Sequence, residues 1–280
     1  MSQFIRHYLL AVQFFTRIPV TGRLAQWVGF SPAMLRASAA HFPGIGWLVG
    51  GLVAAFTALL LAGLPEGGFS PLVAAVWGTA LGVLITGAFH EDGLADVADG
   101  LGGSQDRERS LIIMKDSRIG AFGAIAVLLA LMAKVSLLAL LGSISGGVMC
   151  AALFLAHVVS RTWPLLLIRL LPHVGDAAGS KSKPLADQIG RASLIVAFIW
   201  CLIALVLVIY AWTGLDPGVV DDDARTFAVA LFTAFASSGV GLVLMWRWLL
   251  QRLQGFTGDC LGATQQVCEL AFYLGLALCL

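Results

Sequence analysis

Apolar residues run through this chain in long blocks separated by short polar stretches. Blocks near 42–64, 70–90, 119–141, 146–171, 192–212, 226–249 and 261–280 each have the length of a membrane-crossing helix, which needs ~20 residues to span about 30 Å of hydrocarbon. Gln265, Gln266 and Glu269 interrupt the last block and make it the weakest of the set. Ahead of the first block, residues 3–18 are too short and too broken to cross, and read as an amphipathic helix lying at the interface. The pattern predicts an all-α, polytopic integral membrane protein with about seven transmembrane helices. Residues 1–40 form its N-terminal interfacial segment. No internal repeat appears, so residues 1–280 read as a single membrane-embedded domain.

Composition agrees with this pattern. Hydrophobic residues make up 59% of the chain and charged residues 12%, against about 25% charged in soluble domains. The net charge of +1 and the absence of any Lys/Arg block give no footprint for nucleic acid. The five cysteines form no CxxC or Cys/His spacing and read as small hydrophobes. The first apolar run is broken by Gln13 and Arg17 and lacks a small-residue cleavage site, so it is not expected to be a signal peptide.

Charge then orients the spans. Arg6, Arg17, Arg23 and Arg36 precede the first span, and Arg107, Arg109, Lys115 and Arg118 follow the second. Lys181, Lys183 and Arg191 follow the fourth, and Arg247 and Arg252 flank the turn after the sixth. All these stretches fall on one side. The opposite loops, near 65–69, 142–145 and 213–225, hold Arg225 as their one basic residue, and the last of them carries Asp221, Asp222 and Asp223. The positive-inside rule therefore places the N-terminus and the loops 91–118 and 172–191 in the cytoplasm.

Three polar motifs lie on that face. In the first, Glu91, Asp92, Asp96 and Asp99 put four carboxylates in nine positions directly after an apolar run. On a helix, Asp92, Asp96 and Asp99 fall within about 60° of one face. Crowded carboxylates repel, and a divalent cation relieves that repulsion. The bland reading is an acidic, solvated helix end; the single stripe and the small residues Gly93, Ala95, Ala98 and Gly100 beside it favour a metal site. An oxygen-only donor set of Asp92, Asp96, Asp99 and the lesser candidate Glu91 suits Mg²⁺ better than zinc.

The second motif, Lys115-Asp116-Ser117-Arg118, precedes the third span. Lys115 and Arg118 are candidate phosphate ligands, Ser117 adds a hydroxyl, and Asp116 either joins the metal or holds Arg118. The alternative is ordinary basic flanking with a helix cap. The third motif, Gly255-Phe256-Thr257-Gly258-Asp259, adds Thr257 and Asp259 as binding candidates; alone, it reads as a glycine-rich turn capping the last span. Lys134, Arg161 and Glu269 lie inside apolar blocks, where an ion costs about 2.5–3.5 kcal/mol on insertion scales and so faces protein interior or water. Arg161 shares a face with His157 and is the candidate of the three for reaching a phosphate. Gly46, Gly50 and Gly51 read as a close-packing surface.

HEDGLADVADGLGG, MKDSRIGAFG and GFTGDCLGA, with LLAVQFFTRIPV and FPGIGWLVGG ahead of them, together resemble the cobalamin synthase family from about residue 8 to the C-terminus. That resemblance implies an integral membrane enzyme dependent on Mg²⁺. It implies adenosylcobinamide-GDP ribazoletransferase activity, in which a hydroxyl of α-ribazole or its 5′-phosphate attacks the cobinamide-linked phosphate and GMP leaves. The roles expected are Mg²⁺ held by Asp92, Asp96 and Asp99 with Asp116 or Asp259 assisting, phosphate held by Lys115, Arg118 and Arg161, and a proton taken by an aspartate or His90. The expected setting is the bacterial cytoplasmic membrane, with the site facing the cytoplasm and the chain self-associated or joined to other corrinoid enzymes. The rival class is a transporter or channel, whose charges would be spread across the bilayer rather than crowded at one face.

Overall fold

The computed structural model describes residues 2–175, 189–213 and 222–280, and every regular element in them is helical. Most of the expected 172–191 loop, including Lys181 and Lys183, lies outside the described residues, as does Asp221 of the 213–225 loop. In order the helices are α1 (Ser2–Phe15), α2 (Gly22–Val28), α3 (Pro32–Ser38), α4 (Phe42–Gly63), α5 (Ser70–Thr86), α6 (Phe89–Gly103), α7 (Arg107–Ile113), α8 (Ala121–Ile144), α9 (Gly146–Thr162), α10 (Pro164–Leu170), α11 (Arg191–Thr213), α12 (Asp222–Leu253) and α13 (Gly258–Ala277). A 3₁₀ turn over Ala39–His41 joins α3 to α4.

Five segments among the described residues are long and apolar enough to cross a membrane: Pro32–Gly63, Ala121–Ile144, Gly146–Leu170, Arg191–Trp212 and Arg225–Leu253. The polytopic expectation stands, but two of the seven expected spans differ in kind. The 70–90 block breaks: α5 and α6 meet at 88° and pass only as a bent pair. The break sits at Gly87, φ 67°, and Ala88, φ 58°. Two successive left-handed residues cannot continue a helix, and only glycine adopts that region without strain. A side chain at Gly87 would also collide with Arg17, whose amide donates to the Ile85 carbonyl at 2.7 Å.

The final block forms α13, but this helix is not greasy enough to count as a span. Gln265, Gln266 and Glu269 are all buried. The reason is position: α13 packs against α12, α6, α9, α8 and α10, so protein rather than lipid surrounds its polar residues.

Elsewhere the bundle follows the sequence closely. Helices α4 and α9 pack backbone to backbone: a Cβ at Gly46 would strike the His157 carbonyl, and one at Gly50 would lie 2.9 Å from the Phe154 carbonyl oxygen. Gly51 faces open space and takes no part. The N-terminal helix α1 buries Leu10, Ala11, Val12 and Phe15 against α3 and α4 while Phe4 and Ile5 stay exposed. All five cysteines are free thiols, and Cys201, Cys260 and Cys268 are fully buried hydrophobes.

Candidate active site

The three polar motifs converge where α6 meets the first turns of α8 and α13. Gly93 makes this possible: a Cβ there would lie 2.7 Å from the Asp259 carbonyl oxygen, so α6 touches the backbone of α13 directly. Residues far apart in sequence thereby share one spot. The charges of Asp259, Asp92 and Asp99 all bear on the half-buried Asp96. Asp92 is exposed, and Asp259 is half-buried at the start of α13. Thr257 caps that helix, accepting from the Cys260 amide at 3.4 Å, and its hydroxyl donates to Asp259 Oδ2 at 3.2 Å.

Asp99 has a different task from its neighbours. Its two carboxylate oxygens accept the amides of Gly120 at 2.7 Å and Gly123 at 2.8 Å. Gly120 is the N-cap of α8 and has no side chain to satisfy the first-turn amides. Asp99 supplies that cap from another helix, and its negative charge suits the helix N-terminus. Each oxygen thus holds one amide at the start of α8 and keeps a further acceptor site. The contact also pins the Lys115–Gly120 segment beside the carboxylate group.

On that segment Arg118 grips Asp116 through three hydrogen bonds of 2.5–3.2 Å. The Arg118 side chain is 86% exposed. The guanidinium beside Asp116 holds its carboxyl down to about 2, and the carboxylate in turn raises Arg118. Asp116 therefore holds Arg118 in place rather than reaching toward Asp96. Lys115 and Ser117 are exposed on the same turn. Arginines tie the surrounding chain together: Arg107 Nε donates to the Leu253 carbonyl at 2.7 Å, and Arg252 donates to those of Leu101 at 3.1 Å and Ser104 at 2.5 Å.

Behind the junction lies a buried polar network. Lys134 pairs with Glu269 at 2.7 Å, both nearly sealed from solvent. Tyr273 and Gln265 donate to the same carboxylate at 3.0 and 2.9 Å, and Gln265 also donates to Ser160 at 2.8 Å. Gln266 bridges Gln265 to Glu91, donating at 3.0 and 3.1 Å. Glu91 therefore points into the bundle, away from the stripe. Arg161 is 1% exposed, sits over the Phe42 ring and contacts His157 Nδ1 at 2.8 Å and its carbonyl at 2.9 Å. Protein closes Arg161 in, whereas Lys115 and Arg118 are exposed.

The comparisons with known proteins place this geometry in a family. The cobalamin-5-phosphate synthase family model matches residues 7–277. A protein of Albidiferax ferrireducens named adenosylcobinamide-GDP ribazoletransferase is 72% identical over 277 residues, 99% of both chains. One of the same name from Polaromonas naphthalenivorans is 61% identical over the whole of both chains. The chain belongs to the cobalamin-5-phosphate synthase family. A more distant relative of that name, from Vibrio cholerae, is 37% identical over 95% of this chain and 91% of its own. No solved structure matches the chain.

Within this family member the sites divide by reach. Asp92, Asp96 and Asp259, and Lys115, Ser117 and Arg118 on the segment that Asp99 anchors at Gly120, are at least partly open to the outside; His90, Glu91 and Arg161 are closed in. Among the described residues no group of three or more His, Cys, Asp or Glu side chains is placed to hold a metal ion by itself. The arrangement still fits Mg²⁺. That ion binds through one or two carboxylates, waters and substrate phosphates rather than an all-protein cage, and three carboxylates at one spot leave an uncompensated charge for it. Sequence reasoning missed the linking role of Gln266 and Ser160; buried glutamine and serine carry no signal of their own in a hydrophobic block.

Proposed function

We propose that the junction of α6, α8 and α13 is where this chain carries out its family's reaction. The protein is an enzyme, an adenosylcobinamide-GDP ribazoletransferase, which assembles the nucleotide loop of cobalamin. A ribazole hydroxyl oxygen forms a bond to the phosphorus attached to cobinamide. The bond from that phosphorus to the GMP phosphate breaks, GMP departs with the electron pair, and the hydroxyl proton is released.

The observation that carries the assignment is the Gly93–Asp259 contact, which joins carboxylates from two distant segments. Asp92, Asp96 and Asp259 are the residues that would hold Mg²⁺. When bound, such an ion offsets negative charge on a pyrophosphate and on a departing phosphate. Arg118, kept in position by Asp116, and Lys115 present positive charge to phosphate oxygens. Asp99 keeps that loop against α6. Asp96, central among the carboxylates, takes the hydroxyl proton. The basic character of this end supports a cytoplasmic orientation, where nucleotide substrates are found. The transporter reading loses support because Lys134, a charge that a pathway would use, is already paired with Glu269, and Arg161 is closed in against His157 and Phe42.

The direct test uses purified protein in detergent or nanodiscs with adenosylcobinamide-GDP, α-ribazole and Mg²⁺. GMP is expected to accumulate in step with the joined corrinoid. Loss of corrinoid-GDP without a joined product, or ion flux in liposomes lacking corrinoid, would overturn the reading.

A further inference from the structure

An apolar cavity opens directly beside the carboxylate junction. One wall is aromatic: Phe14 and Phe15 of α1, Phe42 of α4, and Phe89 and His90 of α6. Ala39, Leu261 of α13 and the α10 side chains Pro164, Leu165 and Ile168 add aliphatic wall, and Gly258 and Gly262 line the side facing the junction. The rings are already arranged for flat partners. Phe15 stacks on Phe42 with centroids 4.4 Å apart, and Phe42 stacks on His90 at 5.8 Å. His90 lines this wall; it is 1% exposed, and its Nε2 has no hydrogen-bond partner. A buried polar atom without a partner is destabilising, so a ligand atom that bonds it is favoured. Gly258 is next to Asp259, so whatever fills the cavity holds its far end among the carboxylates.

We propose that this cavity receives the heteroaromatic base of the ribazole substrate, leaving its ribose at Asp259, Asp96 and Asp92. The proposal rests on the transferase reading and adds a place for one substrate. The cavity's chemistry selects among the flat groups the reaction offers. Guanine carries several donors and acceptors on its edge, and an apolar wall would leave them unpaired. A benzimidazole nucleoside has an apolar edge and one free ring nitrogen, which is an acceptor. His90, as its Nε2–H tautomer, donates one hydrogen bond to that nitrogen. The corrin ring is far too large for the space. As it stands the cavity is about 40 Å³, room for a few waters at about 10–15 Å³ each by the same measure, so the base enters by displacing a wall. Phe89, 39% exposed, and the half-buried Phe14 are the walls free to swing outward.

Equilibrium dialysis tests this without turnover, so its failure is separate from failure of the transfer reaction. α-Ribazole is expected to bind the wild-type protein and to be displaced by free benzimidazole but not by guanosine. Leu261→Trp, which fills the cavity, is expected to weaken α-ribazole binding at least tenfold while the KM for adenosylcobinamide-GDP stays within twofold. Wild type is expected to favour the benzimidazole nucleoside over its indole analogue, which lacks the acceptor nitrogen, by about tenfold, and His90→Phe to erase that preference; one good hydrogen bond is worth about that ratio. Displacement by guanosine as effective as by benzimidazole would overturn the assignment even if neither variant folds. So would unchanged α-ribazole binding in a folded Leu261→Trp protein.

Discussion

Replacing Glu269 with Gln should strand a buried lysine. Lys134 has one carboxylate partner at 2.7 Å, and both side chains are at most 5% exposed. Removing one member of such a pair leaves an uncompensated charge and costs about 3–5 kcal/mol, in line with the ~2.5–3.5 kcal/mol that insertion scales assign to a lysine at mid-bilayer. Gln keeps an acceptor for Tyr273 or Gln265 but not for both, which places the loss in the upper half of that range. Using about 2–4 °C per kcal/mol for chains of 150–250 residues, the apparent melting temperature in detergent should fall by roughly 8–20 °C. The pair can be isolated by a double-mutant cycle with Lys134→Met. Met fills the lysine's volume without its charge, so the double variant should recover more than half of the Glu269→Gln loss. Additive losses in the double variant, or a drop below 3 °C for Glu269→Gln alone, would refute the claim that Lys134 depends on Glu269.

Three further outcomes follow from the same geometry. Gly93→Ala places a methyl 2.7 Å from the Asp259 carbonyl oxygen and should part α6 from α13, cutting kcat/KM more than tenfold with the protein still inserted, as read by GMP release on purified material. Asp99→Ala removes two charge-assisted hydrogen bonds at the start of α8, each worth about 1.5–3 kcal/mol, and amide exchange of residues 120–124 should speed up measurably; unchanged exchange would remove its capping role. Asp116→Ala breaks an exposed ion pair and should leave the melting temperature close to that of the wild type, yet raise the KM for adenosylcobinamide-GDP several-fold because Arg118 is no longer held.

Much of the fold could be read from the chain, for identifiable reasons. Lipid-facing blocks must be apolar throughout, so α4, α8, α9, α11 and α12 appeared where the hydrophobic runs lie. The break at Gly87 and Ala88 did not show, because alanine with positive φ has no signature in a hydropathy pattern. Helix α13 misled for the opposite reason: its polar residues looked like a span being interrupted, but they are its contacts with α6, α8 and α9. The short helices α2, α3 and α7 were not foreseen, since seven-residue elements leave little periodicity.

The site shows the same division. Spacing put Asp92, Asp96 and Asp99 on one stripe, and the stripe exists. Spacing could not say which of them is already engaged. Asp99 finds its partners in Gly120 and Gly123, and Asp259 joins the stripe across a contact between glycine and backbone. Neither relation is local in sequence. An intramembrane arginine is rare, which makes Arg161 a candidate phosphate ligand; its contacts with His157 and the face of Phe42 carry no sequence signal beyond the i, i+4 spacing to His157.

The account stands most directly on the carboxylates where α6 meets α13. GMP release by Asp96→Asn, titrated with Mg²⁺ against the wild type, tests it. The account predicts activity lowered at least a hundredfold and an Mg²⁺ requirement moved to higher concentration, in protein that melts at the wild-type temperature. Wild-type turnover with an unshifted Mg²⁺ curve would contradict it.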